Sequence, residues 1–105
     1  MIERLQEKLE KGFYIDNLYE MASVCRQQAL DTTLPLPFWV LQKMFLDIAT
    51  AWEDRPLPVE EAERLEKRIL APIRDVMTAA EKRASYAELY RLLNTLLVTY
   101  LGHSN

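Results

Sequence analysis

Apolar residues recur at helical spacing along most of the chain, and most densely from Phe38 to Trp52. In this segment one broad face carries apolar side chains, and no residue is Gly or Pro. Lys43 and Asp47 interrupt the run, which is also too short to cross a bilayer, because a span needs about 20 apolar residues. We therefore expect residues 38–53 to form a central helix that neighbouring elements contact from two sides.

The same periodicity predicts further helices, separated by Gly, Pro or capping residues. Gly12 stands where a helix C-cap is expected, Asp16 is a candidate N-cap, and Ser85 with Glu88 forms a capping box. The prediction is an all-α fold, a compact bundle of four to five mostly antiparallel helices in one domain of residues 1–105. Its elements are a short helix at about 2–11, core helices at about 16–30, 38–53, 59–84 and 86–101, and a tail at 102–105.

Prolines mark the entries to two of these helices. Pro-Leu-Pro precedes both the third and the fourth helix, and in each case the second proline suits the first helical position, where no backbone N–H is needed. Pro72 falls inside the fourth helix, whose apolar stripe continues in phase beyond it, so we expect a long helix with a kink. Residues 59–101 could also form one unbroken arm, but the capping box at Ser85 favours a hairpin.

Composition limits the class of protein. Half of the 105 residues are hydrophobic, so the chain can bury a core without metals or disulfides. The single cysteine, Cys25, cannot form an internal disulfide, and its place in an apolar stripe indicates a buried thiol. The N-terminus is charged from the third residue and has no signal-peptide core. We therefore expect a cytoplasmic protein with no membrane segment.

Residues suited to catalysis or to metal binding are sparse. The lone histidine, His103, falls in the tail, and one His with one Cys cannot build a structural zinc site, so we expect neither a metal nor a cofactor. Glu60, Glu61 and Glu63 share the outer side of the fourth helix, where solvation explains them. Asp47 has apolar neighbours in sequence but falls on a polar face. These patterns predict a protein that is not an enzyme.

The charge pattern does not favour nucleic-acid binding. The chain has 13 basic and 16 acidic residues, which gives a net charge of −3. The basic residues of its second half alternate with acids along the helices, so no single face collects the positive charge that phosphate binding requires. A nucleic-acid-binding regulator is therefore the third of three hypotheses on function.

Two large apolar residues fall outside the core stripe of the third helix. Trp39 and Leu46, seven positions apart, lie in its polar sector. Coverage by another helix or by a connector explains them as well as a binding role does. Because Trp is favoured at interface hot spots, the leading hypothesis is a non-enzymatic interaction protein (a regulatory subunit, adaptor or assembly factor) that binds another protein and forms a homodimer through helices three to five. Its predicted contact residues are Trp39 and Leu46, with Gln42, Lys43 and Thr50 as the rim.

The alternative hypothesis is a bundle that binds a small apolar or aromatic ligand between its helices. Such a pocket would be lined by Met44, Met77, Tyr90 and Tyr100. Tyrosines at helical spacing beside a leucine stripe are also typical of the edge of a core, with their hydroxyl groups in water. An unexplained added mass in native mass spectrometry is expected only for the ligand-binding protein.

Overall fold

A computed structural model describes residues 2–102, and five helices account for most of them. These helices are α1 (Ile2–Glu10), α2 (Ile15–Asp31), α3 (Leu36–Ala51), α4 (Val59–Glu81) and α5 (Tyr86–Leu101). No strand occurs within the described range. The predicted all-α bundle is therefore confirmed, while the predicted tail from residue 103 onward lies outside the described residues.

The helices are arranged as two antiparallel hairpins, α2–α3 and α4–α5, with α1 packed against α2 and α4. The two hairpin turns lie at the same end of the bundle, since Leu34 of one and Tyr86 of the other line one surface cavity. Helix α3 contacts α2, α4 and α5, as its apolar pattern predicted for a central helix.

All five helices contribute to one core, and α3 contacts α2, α4 and α5 around it. Phe13 and Phe45 pack edge to face in it, with ring centres 6.3 Å apart. Burying a large aliphatic or aromatic side chain stabilises the fold by about 1.5–3 kcal/mol. The largest fully buried apolar side chains come from all five helices: Leu5, Leu18, Met21, Leu41, Phe45, Ile69, Ile73, Val76, Met77 and Leu96.

The junction of α1 and α2 is held by side chains that bind backbone groups. Gly12 follows α1 with φ of +92°, a conformation that favours glycine. The buried Asn17 donates through Nδ2 to the carbonyls of Lys8, at 2.8 Å, and of Gly12, at 2.6 Å. Tyr14 precedes the first turn of α2, so Asp16 lies inside that turn and the predicted N-cap is wrong.

The two Pro-Leu-Pro segments enter their helices in different ways. Pro35 is the N-cap of α3 and Pro37 its second residue, whereas Pro58 is the N-cap of α4. Neither second proline therefore occupies the first helical position, and α3 begins two residues before the predicted start at residue 38. Helix α4 continues through Pro72 without a break. The kink at Pro72 stays a prediction.

A tight turn separates α4 from α5, so residues 59–101 form a hairpin and not one long arm. Arg83 adopts φ of +56°, and its amide donates to Ala80 O while that of Ala84 donates to Ala79 O, the two hydrogen bonds of a Schellman motif. Ser85 Oγ then accepts a hydrogen bond from the Glu88 amide at 3.2 Å, which caps α5 as the sequence predicted.

Candidate functional site

An apolar groove opens at the turn of the α2–α3 hairpin. Leu30 lies in the last turn of α2 and Leu36 is the first residue of α3, so the short connection brings their side chains together beside Trp39. Leu30 is 65% exposed, Leu36 56% and Trp39 40%. The groove has a volume of about 420 Å³, and we call it the hairpin groove; its lining residues are Ala29, Leu30, Pro35, Leu36 and Trp39.

Lys43 places a positive charge beside Trp39 at the edge of the hairpin groove. Lys43 lies one helical turn after Trp39, and its Nζ is 5.0 Å from the centre of the indole ring. A lysine over an indole at this distance forms a cation–π contact, worth about 0.5–1 kcal/mol at an exposed site. The contact orients the indole and places an ammonium group beside an otherwise apolar surface.

The structure brings together only part of the interaction surface predicted from the sequence. Trp39 and Lys43 are exposed and in contact, but Leu46 is half-buried and packs against the core. Gln42 is buried, so its predicted place on an exposed rim is wrong. Thr50 is exposed, and its hydroxyl donates to the carbonyl of Leu46 in the same helix.

Gln42 is buried because α3 is covered on a wider arc than its apolar stripe indicates. Gln42 shares its side of α3 with the buried Ala49 and, at the edge, with Trp39 and the half-buried Leu46. Among the described residues, Gln42 Oε1 has no hydrogen-bond partner.

None of the cavities described within residues 2–102 is lined by more than one of the four residues of the predicted ligand pocket. Met44 and Met77 are buried in the core, while Tyr90 is largely exposed on the outer side of α5. Tyr100 is half-buried and donates its hydroxyl hydrogen to Asp47 Oδ2. Burial, followed by this hydrogen bond, raises the pKa of Tyr100 above its usual value. The described cavity beside Tyr100 has a volume of about 170 Å³ and is lined by residues that include Trp52, Arg64 and Arg68.

Cys25 and Asp47, two titratable residues with possible chemical roles, lie in surroundings that give each a structural role. Burial raises the pKa of the Cys25 thiol to about 12, so the thiolate is disfavoured in the folded protein. Asp47 is exposed and accepts the hydrogen bond from Tyr100. His103 lies outside the described residues. In residues 2–102, no group of three or more His, Cys, Asp and Glu side chains is placed to hold a metal ion.

Leu30 and Leu36 are functional candidates that the sequence pattern did not single out. Leu30 is the last residue of the second predicted helix, at about 16–30, and Leu36 precedes the predicted start of the third at residue 38. The groove joins residues up to ten positions apart across a turn. A signal was present, since Leu, Pro and Trp are clustered from residue 30 to residue 39, but periodicity within one helix does not reveal it.

No helix in the described part of the chain is both long enough and apolar enough to pass through a membrane. Comparison of the chain with family models, with curated proteins and with solved structures finds no match.

Proposed function

We propose that this protein is a non-enzymatic interaction module, acting as a regulatory subunit, adaptor or assembly factor in the cytoplasm. It binds a segment of another protein in the hairpin groove, and it also associates with itself as a homodimer. The observation that supports partner binding is the exposure of Leu30, Leu36 and Trp39 in one groove. Clustered exposed apolar side chains are typical of contact surfaces, and Trp is enriched at their energetic centres.

The partner segment expected for this groove is an amphipathic helix or an extended stretch with large apolar side chains. Such a segment would cover the indole of Trp39 and the side chains of Leu30 and Leu36, each worth about 1.5–3 kcal/mol when fully buried. Lys43 adds a preference for an acidic residue in the partner, because its positively charged ammonium group lies beside Trp39.

Site-specific photo-cross-linking identifies the partner. Leu36 is replaced with benzoylphenylalanine, and Val59, which is also exposed but lies at the start of α4, is replaced in the same way as the control. We expect a protein that is cross-linked from position 36 and not from position 59. Equal cross-linking from the two positions would argue against the hairpin groove.

Affinity measurements then test the contact directly. The cross-linked segment is titrated into the Trp52→Phe variant, so that Trp39 alone reports binding by its fluorescence. We expect Leu30→Asp to weaken binding at least tenfold, corresponding to about 1.4 kcal/mol, and Val59→Asp to leave it unchanged. Binding that is insensitive to Leu30→Asp would refute the groove as the binding site.

A further inference from the structure

The outer side of α5 carries a second apolar surface, separate from the hairpin groove. Tyr86 is 77% exposed and Tyr90 73%, Leu101 is also exposed, and Leu97, one turn after the buried Leu93, is half-buried. At 100° per residue these four positions fall within about 60° of each other on the helix surface. We call them the α5 stripe. The buried side of the same helix, with Leu89, Leu93 and Leu96, faces the core.

The α5 stripe is free of charge over most of its length. From Leu92 to Leu101 the sequence LLNTLLVTYL contains no Lys, Arg, Asp or Glu, and Asn94 is the polar residue nearest the middle of the stripe. Most helix surfaces exposed to water carry charged residues, as the outer faces of α2 and α4 do here. Two copies of an uncharged face can approach each other without the repulsion that like charges produce.

The spacing of the stripe is the same when it is read in either direction. Tyr86 and Tyr90 are four residues apart, Tyr90 and Leu97 seven, and Leu97 and Leu101 four. An antiparallel copy related by a twofold axis between residues 93 and 94 therefore places Tyr86 opposite Leu101 and Tyr90 opposite Leu97. A homodimer interface of this kind uses the same patch on both chains, and the stripe matches itself in this way.

We propose that the α5 stripe is the interface of a homodimer in which two α5 helices pack antiparallel about this axis. The inference rests on the self-association part of the proposed function and is independent of partner binding in the hairpin groove. The two tyrosines of each chain cover the two leucines of the other, and the two copies of Asn94 lie near the axis. A polar residue in such a position favours one register over others.

The size of the contact predicts a weak dimer. Helix α5 has 16 residues and presents a strip about 24 Å long and about 10 Å wide. A stable interface buries about 800 Å² on each partner, which is more than one helix face supplies. We therefore expect rapid and reversible pairing with a dissociation constant in the micromolar range, so that dilution separates the chains.

Sedimentation velocity over a hundredfold range of concentration tests the interface. The samples are the wild type, the double variant Tyr90→Lys/Leu97→Lys and the control Leu30→Lys, each checked for helix content by circular dichroism. We expect the wild type and the control to dimerise alike, and the double variant to remain monomeric at concentrations at least tenfold higher. A double variant that still dimerises would overturn the α5 interface, and the chains would then associate through another surface. A wild type that is monomeric throughout would overturn self-association as well, while leaving groove binding intact.

Disulfide trapping tests the register without depending on the lysine variants. Tyr90→Cys and Leu97→Cys are made as single variants in which the native Cys25 is buried. In the proposed dimer, position 90 of one chain faces position 97 of the other. Two copies of position 90, in contrast, are about 10 Å apart in the direction of the helices. We expect a covalent dimer when the two variants are mixed and oxidised, and little from either alone. Equal yields from the mixture and from the single variants would refute the register.

Discussion

Phe13 and Glu66 are joined by a hydrogen bond although 53 positions separate them in the chain. The backbone amide of Phe13 donates to Glu66 Oε1 at 2.7 Å. The ring of Phe13 packs edge to face on Phe45 of α3. One residue of the α1–α2 junction is therefore fixed to α3 by its side chain and to α4 by its backbone.

Removal of this contact is expected to loosen the packing of α1 on the bundle. In Glu66→Ala the half-buried amide of Phe13 loses its acceptor, which lowers the free energy of unfolding by about 1–3 kcal/mol. In Glu66→Gln an amide oxygen can still accept the hydrogen bond, so the loss should be smaller. Urea denaturation of both variants measures the difference. Equal losses in the two variants would contradict a hydrogen bond from Phe13 as the cause.

Gly12 is expected to resist substitution. Its φ is +92°, and an added Cβ would lie 3.3 Å from Glu66 Oε1. Gly12→Ala should therefore lower the free energy of unfolding by about 1–2 kcal/mol. Gly12→Asn fills the same space but tolerates positive φ better, so a smaller loss in thermal or urea unfolding identifies backbone strain as the main cost. A stable Gly12→Ala variant would be inconsistent with this conformation.

Arg83 offers the opposite case, a position where glycine should stabilise the protein. Arg83 adopts φ of +56° in the turn between α4 and α5, a conformation that costs a residue with a Cβ about 1–2 kcal/mol. After the greater flexibility of glycine in the unfolded chain is subtracted, Arg83→Gly should raise the free energy of unfolding by about 0.5–1 kcal/mol. Lys82→Gly is the matched control, because Lys82 has φ of −81°, and it should not stabilise. The midpoint of thermal unfolding compares the two.

The buried thiol of Cys25 predicts a loss of stability in alkaline solution. Its pKa in the folded protein is raised to about 12 by burial, whereas a thiol in an unfolded chain has a pKa of about 8.5. Below the unfolded value both states keep the proton, and the stabilisation is complete. Above it the unfolded chain releases the proton first, so stability falls as the pH rises toward the folded pKa. Between pH 8 and pH 10 this group should remove on the order of 1–2 kcal/mol.

The variant Cys25→Ala isolates the contribution of the thiol. It removes buried volume and so lowers stability at every pH, but the steep decline between pH 8 and pH 10 should become shallower than in the wild type. Urea denaturation at three values of pH gives both slopes. Parallel slopes would show that another group accounts for the alkaline loss.

Helix content and the order of helices could be read from the sequence because periodicity and capping report on local structure. The start of α5 after Ser85 and the end of α4 before it follow from a side-chain cap and an apolar stripe, both local features. The exact end of α4 is the exception: it lies at Glu81 and not at the predicted residue 84, because the Schellman turn uses Arg83 where glycine is the usual residue.

The residues of the candidate surfaces could not be predicted fully, because their exposure depends on how the helices pack. The apolar pattern of a single helix does not contain that information. Trp39 and Leu46 are equivalent by spacing, yet Trp39 is exposed at the hairpin turn and Leu46 is half-buried against the core. Gln42 falls in the polar sector of α3 by its spacing, yet its side chain is buried. Leu30 joins the groove only because the chain reverses direction after Asp31.

The hairpin groove and the α5 stripe lie on different hairpins and share no residue. In the proposed α5 dimer each chain would contribute one hairpin groove. A target with two suitable segments, or a target that is itself dimeric, binds the second groove at the high local concentration created by the first. Such bivalent attachment can exceed the affinity of one site by about 10²–10⁴-fold without any new contact. Weak pairing of the chains would then set the protein concentration at which tight capture of the target begins.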